Sequence, residues 1–246
     1  VYVILVIQGR KKYNLNNSLT EKHKQDFNSA LNIYSNPQTH ESLINLLQIG
    51  SIAEKQAAAI SLEMINNKKE AKILMSNLTN CDGKIREAAS FRLREFVPQN
   101  PEFYTDFAQI FLDAIIDING NICRNTIDAI RTLKTSKEFV QEFCEELVTR
   151  TVAIIPPIKA FDIQEGKYKI NKEVFKLYWY LETISEFSEF IRHEDLLKIL
   201  SDTKEIGDYT IREKTAKILS KLESYNEFDS LRQELKQDQN YYVRRV

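Results

Sequence analysis

The chain is predicted to be all-α, a stack of helix pairs, on three observations. Only 6 Gly and 5 Pro in 246 residues leave few of the turns that strands require. Leu, Ile, Lys, Glu and Ala fill the long segments, which favours helix. One helix pattern also recurs along the chain.

The recurrence is seen in "CDGKIREAASFRLREF", "INGNICRNTIDAIRTL", "IGDYTIREKTAKILSKL" and "DQNYYVRRV". Each copy has a β-branched anchor at its helix start: Ile85, Ile122, Ile211 and Val243. Eight residues on stand Leu93, Ile130 and Leu219, and eleven on stand Phe96, Leu133 and Leu222. These offsets lie on one helical face. Three residues before the anchors are Asp82, Asn119, Asp208 and Asn240, all favoured N-caps. The next position after the anchor is Arg86, Arg212 or Arg244, with Cys123 in the second copy. "SIAEKQAAAISLEMI" fits more loosely, with Ser51 as cap, Glu54 as anchor, and Leu62 and Ile65 in the buried slots. Four residues after the anchor, Ala58, Ala89 and Thr215 are small enough for a close helix neighbour.

A second amphipathic segment precedes each copy, so the unit is a helix A followed by a helix B. The anchors are 31, 37, 89 and 32 residues apart, and the interval of 89 holds two units, with "SKEFVQEFCEELVTRTVAII" as A and "NKEVFKLYWYLETISEF" as B. Six pairs result, behind an N-terminal helix from about Leu19 to Tyr34. Such short units bury their apolar faces only by stacking.

The cap, Ile-Arg, small residue and Leu of "DGKIREAASFRLREF" resemble the HEAT repeat, over most of the chain from about residue 37. The resemblance implies a right-handed α-α superhelix, or solenoid, with B helices lining a concave surface. It also implies a scaffold or adaptor more often than an enzyme. An apolar start before such an array resembles bacterial membrane-anchored HEAT-repeat proteins.

That start, "VYVILVIQGRKKY", lacks Met and places seven apolar residues ahead of Arg10, Lys11 and Lys12. Seven helical residues rise about 10 Å, against a bilayer core of roughly 30 Å. Residues 1–12 are therefore expected to be the end of a membrane anchor truncated upstream, or else a strand or packed terminal segment. The array, residues 13–246, is expected to be incomplete at its C-terminus, because "NYYVRRV" opens a helix whose buried positions would lie beyond Val246.

The fourth unit breaks the pattern at "AIIPPIKAFDIQEGKYKINKE". Pro156 and Pro157 are expected to end helix A. "FDIQEGKYKI" alternates apolar and polar around Glu165-Gly166, which reads either as a β-hairpin near 158–170 or as a long loop. An insertion at 156–170 would carry Lys167 and Tyr168 toward a partner. After it, Tyr178, Trp179 and Tyr180 cannot all face one side of a helix, so Trp179 and Tyr180 are candidate binding anchors.

Net charge is −1, giving no global attraction to nucleic acid or anionic lipid. Sorted by helix, the B helices are basic and the A helices acidic. Arg92, Arg94, Arg131, Lys217 and Lys221 are the candidate partner-binding cations on a concave B face. Two uses compete for them: recognition of an acidic protein segment, phosphate groups or anionic headgroups, or a structural ladder in which the repeat Arg residues pair with Asp or Asn in neighbouring loops.

No catalytic, metal or cofactor site is expected. His23, His40 and His193 are isolated in polar stretches, and there is no glycine-rich phosphate loop, H-E-x-x-H or G-x-S-x-G. Cys81, Cys123 and Cys144 are unpaired in pattern, which suits a reducing, cytoplasmic setting. The expected function is thus a non-enzymatic adaptor binding a protein, tethered to the inner face of a membrane if the anchor is real. A nucleic-acid-binding HEAT protein, akin to the DNA glycosylases of that type, is the alternative, and an acidic pI of about 6.4 argues against it.

Overall fold

The computed structural model describes residues 21–160 and 167–246. Residues 1–12, read as an anchor, and 161–166, the centre of the expected hairpin, lie outside the described residues. The described chain is all-helical, with no strand among those residues. It divides into two compact units, residues 21–114 with 118–133, and residues 115–117 with 134–160 and 167–246.

In the first unit, α1 (Glu21–Ser35) precedes α2 (His40–Ile49), α3 (Ile52–Ser61), α4 (Lys68–Leu78), α5 (Gly83–Gln99), α6 (Ala108–Ala114) and α7 (Gly120–Ile130). Three A-B pairs follow α1, with α2, α4 and α6 as A helices and α3, α5 and α7 as B helices. Within the unit α3 packs on α1, α5 on α3 and α7 on α5, while α2 meets α4 and α4 meets α6. The segment expected as the third A helix is broken, with 3-10 turns at Pro101–Phe103 and Thr105–Phe107 ahead of α6.

The second unit holds α8 (Lys137–Lys159), α9 (Lys167–Phe187), α10 (His193–Thr203), α11 (Tyr209–Lys221), α12 (Asp229–Lys236) and α13 (Tyr241–Arg244). Here α9 packs on α8, α11 on α9 and α13 on α11, and α10 meets α8. The anchors Ile85, Ile122, Ile211 and Val243 are buried, as are Leu93, Ile130, Leu219, Phe96, Leu133 and Leu222. The small residues Ala58, Ala89 and Thr215 have no exposed surface, which is what close B-on-B packing demands.

Caps fix where the helices begin. Asp82, Asn119, Asp208 and Asn240 each accept a hydrogen bond from a first-turn backbone N–H. Ser51 and Glu54 form a reciprocal capping box. The Arg slot then closes the turn from A to B. Arg86 Nη1 donates to the carbonyls of Asn80 (2.8 Å) and Cys81 (3.1 Å), and Arg212 Nη1 to those of Ile206 (2.8 Å) and Gly207 (2.9 Å). Arg244 reaches the Asp238 carbonyl in the same register. In the second copy the slot holds Cys123, whose thiol lies 3.5 Å from the Asn119 carbonyl.

Two expectations are corrected. Helix α8 does not stop at Pro156 and Pro157 but runs to Lys159. Both prolines are exposed, and the helix continues because Ile155 and Ile158 extend the buried stripe of Phe139, Phe143 and Leu147. That burial offsets the missing backbone donors. The expected hairpin near 158–170 is likewise not present in its described parts: 158–159 end α8, and 167–170 are the first turn of α9.

Arg212 also ties one pair to the next. Its Nε and Nη2 donate to the Asp238 carboxylate at 2.6 and 3.1 Å, with both side chains 9% exposed. The Arg212 guanidinium holds the Asp238 carboxyl below the usual aspartate range. A depressed carboxylate stabilises the fold above its unfolded pKa, about 4, and the contribution is lost as pH falls through the lower folded value. Urea unfolding of the second unit should therefore weaken below about pH 4, and Asp238→Asn should lower neutral-pH stability while flattening part of that acid limb.

Candidate functional site

The B helices of the first unit present a polar groove of about 260 Å³ floored by Ala88 and Phe91. Lys84 and Arg94 of α5 and Arg124 of α7 line it, together with Glu87. Asn121 donates to Glu87 Oε1 at 3.1 Å, and Asn125 to Ser90 at 3.2 Å, so the amides join α7 to α5. Beside the groove, Asp128 is shared: Arg94 Nε lies 3.6 Å from it and Arg131 Nη1 3.1 Å. Arg94 and Arg131 are each nearly half exposed. Arg124 is exposed, with no hydrogen bond or ion pair to any described residue. Arg94 and Arg124 thus present exposed guanidinium groups along a groove that also carries Glu87.

The other predicted cations are used differently. Arg92 is largely buried; it donates to the Leu62 carbonyl, pairs with Glu95 at 2.7 Å and covers the Phe96 ring at 4.7 Å. Burial lowers its pKa, with Glu95 and Glu63 opposing. It is a structural pin between α5 and the end of α3. Lys217 pairs with Glu213 at 2.7 Å within α11. Lys221 reaches back to α9, at 2.9 Å from the Ser185 carbonyl and 3.2 Å from Glu186. Lys214 pairs with Glu182 and lies 4.7 Å over the Tyr178 ring. The basic excess counted along α11 is therefore met by carboxylates on α9 and α11.

Trp179 and Tyr180 are corrected as surface anchors. They are 8% and 4% exposed, because α9 packs on both α8 and α11 and its apolar arc is wider than one face. Tyr178 is the partly exposed member of the three. Lys167 and Tyr168 fall in the first turn of α9, and their side chains lie outside the described residues.

No protein-family model, curated protein or solved structure matches this chain.

Sequence reasoning missed a set of ties between successive A helices. His40 Nε2 lies 2.9 Å from Glu70 Oε2, and His193 Nδ1 lies 2.6 Å from Glu227 Oε1. Lys204 pairs with Glu234, and Lys159 with Asp202 (3.0 Å) and Glu205 (2.8 Å). The signal was available as a histidine and a carboxylate separated by about one repeat, 30 residues for His40–Glu70 and 34 for His193–Glu227. These histidines are inter-helix pins.

Among the described residues, no group of three or more His, Cys, Asp or Glu is placed to hold a metal ion, and no helix is long and apolar enough to cross a membrane. Cys144 is buried, and desolvation pushes its thiol up to about 12 against the opposing field of Lys134. Cys81 is exposed at the turn before α5, while Cys123 is buried. At pH 8, iodoacetamide should label Cys81 alone in the folded protein, with Cys123 and Cys144 reacting only in denaturant. Arg92→Ala should cost roughly 2 kcal/mol in urea unfolding, since it strips a charged donor from a buried carbonyl.

Proposed function

We propose that the chain is a non-enzymatic adaptor of the HEAT-like solenoid type that binds an acidic protein segment on the B-helix groove of its first unit. The observation that carries this reading is exposed guanidinium along the groove: Arg124, which has no hydrogen bond or ion pair to a described residue, and the half-exposed Arg94, 3.6 Å from Asp128. Exposed, incompletely neutralised guanidinium groups beside an apolar floor suit a peptide carrying carboxylates, because Arg forks bind carboxylate in a bidentate manner.

The superhelical arrangement is supported by serial packing of B on B and A on A within each unit, and by the recurring cap, Arg slot and small residue. In arrays of this kind the B helices line the concave side, which would set the groove on the inner face. Nucleic acid is the weaker reading. Phosphate-backbone binding needs a continuous run of cations, whereas two carboxylates stand within this patch and α11 is charge-balanced by its neighbours. Membrane tethering through residues 1–12 remains a proposal outside the described residues.

Fluorescence anisotropy with a labelled deca-glutamate peptide tests the reading. Saturable binding that weakens with salt is expected, falling about tenfold in an Arg94→Glu/Arg124→Glu variant, a loss of 1.4 kcal/mol. Lys217→Glu should leave it unchanged. Equal binding by wild type and double variant would refute the site, and tighter binding of a duplex DNA probe than of the peptide would favour the nucleic-acid alternative.

A further inference from the structure

One open cavity of the second unit lies along an A helix rather than on its B helices. A groove of about 870 Å³ runs along α8 from Lys137 to Ala153, walled on its far side by Phe190, Ile191 and the start of α10. Its length is about 24 Å for those sixteen helical steps. Val140, Cys144, Val148 and Val152 make an apolar floor, with Val148 and Val152 left partly exposed.

The rim charges are unequally satisfied. Arg192 is held by Glu194 at 2.9 Å and Asp195 at 2.8 Å, and Glu145 accepts from Gln141 at 3.1 Å. Lys134 pairs with Glu189 at 3.2 Å and stands over the Phe187 ring. Lys137, in the first turn of α8, is exposed and has no ion pair to a described residue. In the lining itself, the N-terminal end of the groove is positive through Lys137 and the α8 dipole, with Glu138 the exposed acidic neighbour in that turn and Glu145 the lining carboxylate farther along.

We infer that this groove is a second docking surface, which takes an amphipathic helix from a partner protein with an acidic residue at the end that lies over Lys137. A long, half-open trough with an apolar floor accepts one face of a helix and leaves the other in water. A small ligand would be better served by an enclosed pocket that buries most of its surface. The charge at one end selects an acidic residue there and rejects a basic one. This surface lies on the A side of the second unit and does not depend on the B-helix groove of the first. An adaptor with both would join two partners.

The test is selection from a displayed library of helical peptides on the full chain. Wild type should enrich sequences with apolar residues at i, i+3 or i+4, and i+7, and an acidic residue at one end. Val148→Arg should reduce binding of those peptides at least tenfold, and Lys137→Glu should invert the end preference from acidic to basic. Far-UV circular dichroism and melting should match wild type in both variants, since Val148 and Lys137 are at least partly exposed. Selected peptides that bind Val148→Arg as well as wild type would overturn the proposal, as would an end preference unmoved by Lys137→Glu. Saturable binding of palmitate that Val148→Arg abolishes, with no helix enriched, would overturn it in favour of a lipid ligand. The deca-glutamate assay reports on the other groove, so either reading can fail alone.

Discussion

The Arg212 guanidinium is the interaction on which the packing of the last helix pairs of the second unit turns. It satisfies two turn carbonyls left open between an A helix and its B helix, and with its remaining donors grips Asp238 in the next pair. Buried charge is costly unless paired and fully hydrogen-bonded. Here the same fork closes a turn and fixes the register of two pairs. Arg86 and Arg244 close their own turns in the same way. Short helices such as α12 and α13 are marginal alone, so their persistence rests on such ties and on buried Leu231, Leu235 and Val243.

The same pairing decides where exposed cation is left over. In the second unit, Lys214, Lys217 and Lys221 each have a carboxylate partner, and the B surface is nearly balanced. In the first unit Arg94 lies 3.6 Å from Asp128, which Arg131 also contacts, while Arg124 has no described partner. Charge count along a helix does not distinguish these cases. Only the position of the opposing carboxylates does, and several of those come from other helices.

Much of the fold was legible because helical period, cap and buried slot agree with one another in each copy. Asp82, Ile85, Ala89, Leu93 and Phe96 are each where the pattern puts them. The failures have physical causes. Pro156 and Pro157 read as a stop, yet exposed prolines in the last turn are outweighed by Ile155 and Ile158. Lys167–Ile170 alternates like a strand but lies in α9, because alternation over four residues also fits a helix end. Trp179 and Tyr180 looked available because a lone helix has one covered face, and α9 has two. Of the candidate site, Arg94 and Arg131 were legible, whereas Arg124 and the α8 groove needed the packing of several helices.

The central claim is that cations of the repeat act first as ties between successive pairs. A double-mutant cycle on Arg212→Ala and Asp238→Ala, read by urea unfolding at neutral pH, tests it most directly. A coupling energy of about 2 kcal/mol or more is expected for a buried, bidentate pair of this kind. Additive single effects, with coupling below about 0.5 kcal/mol, would contradict it.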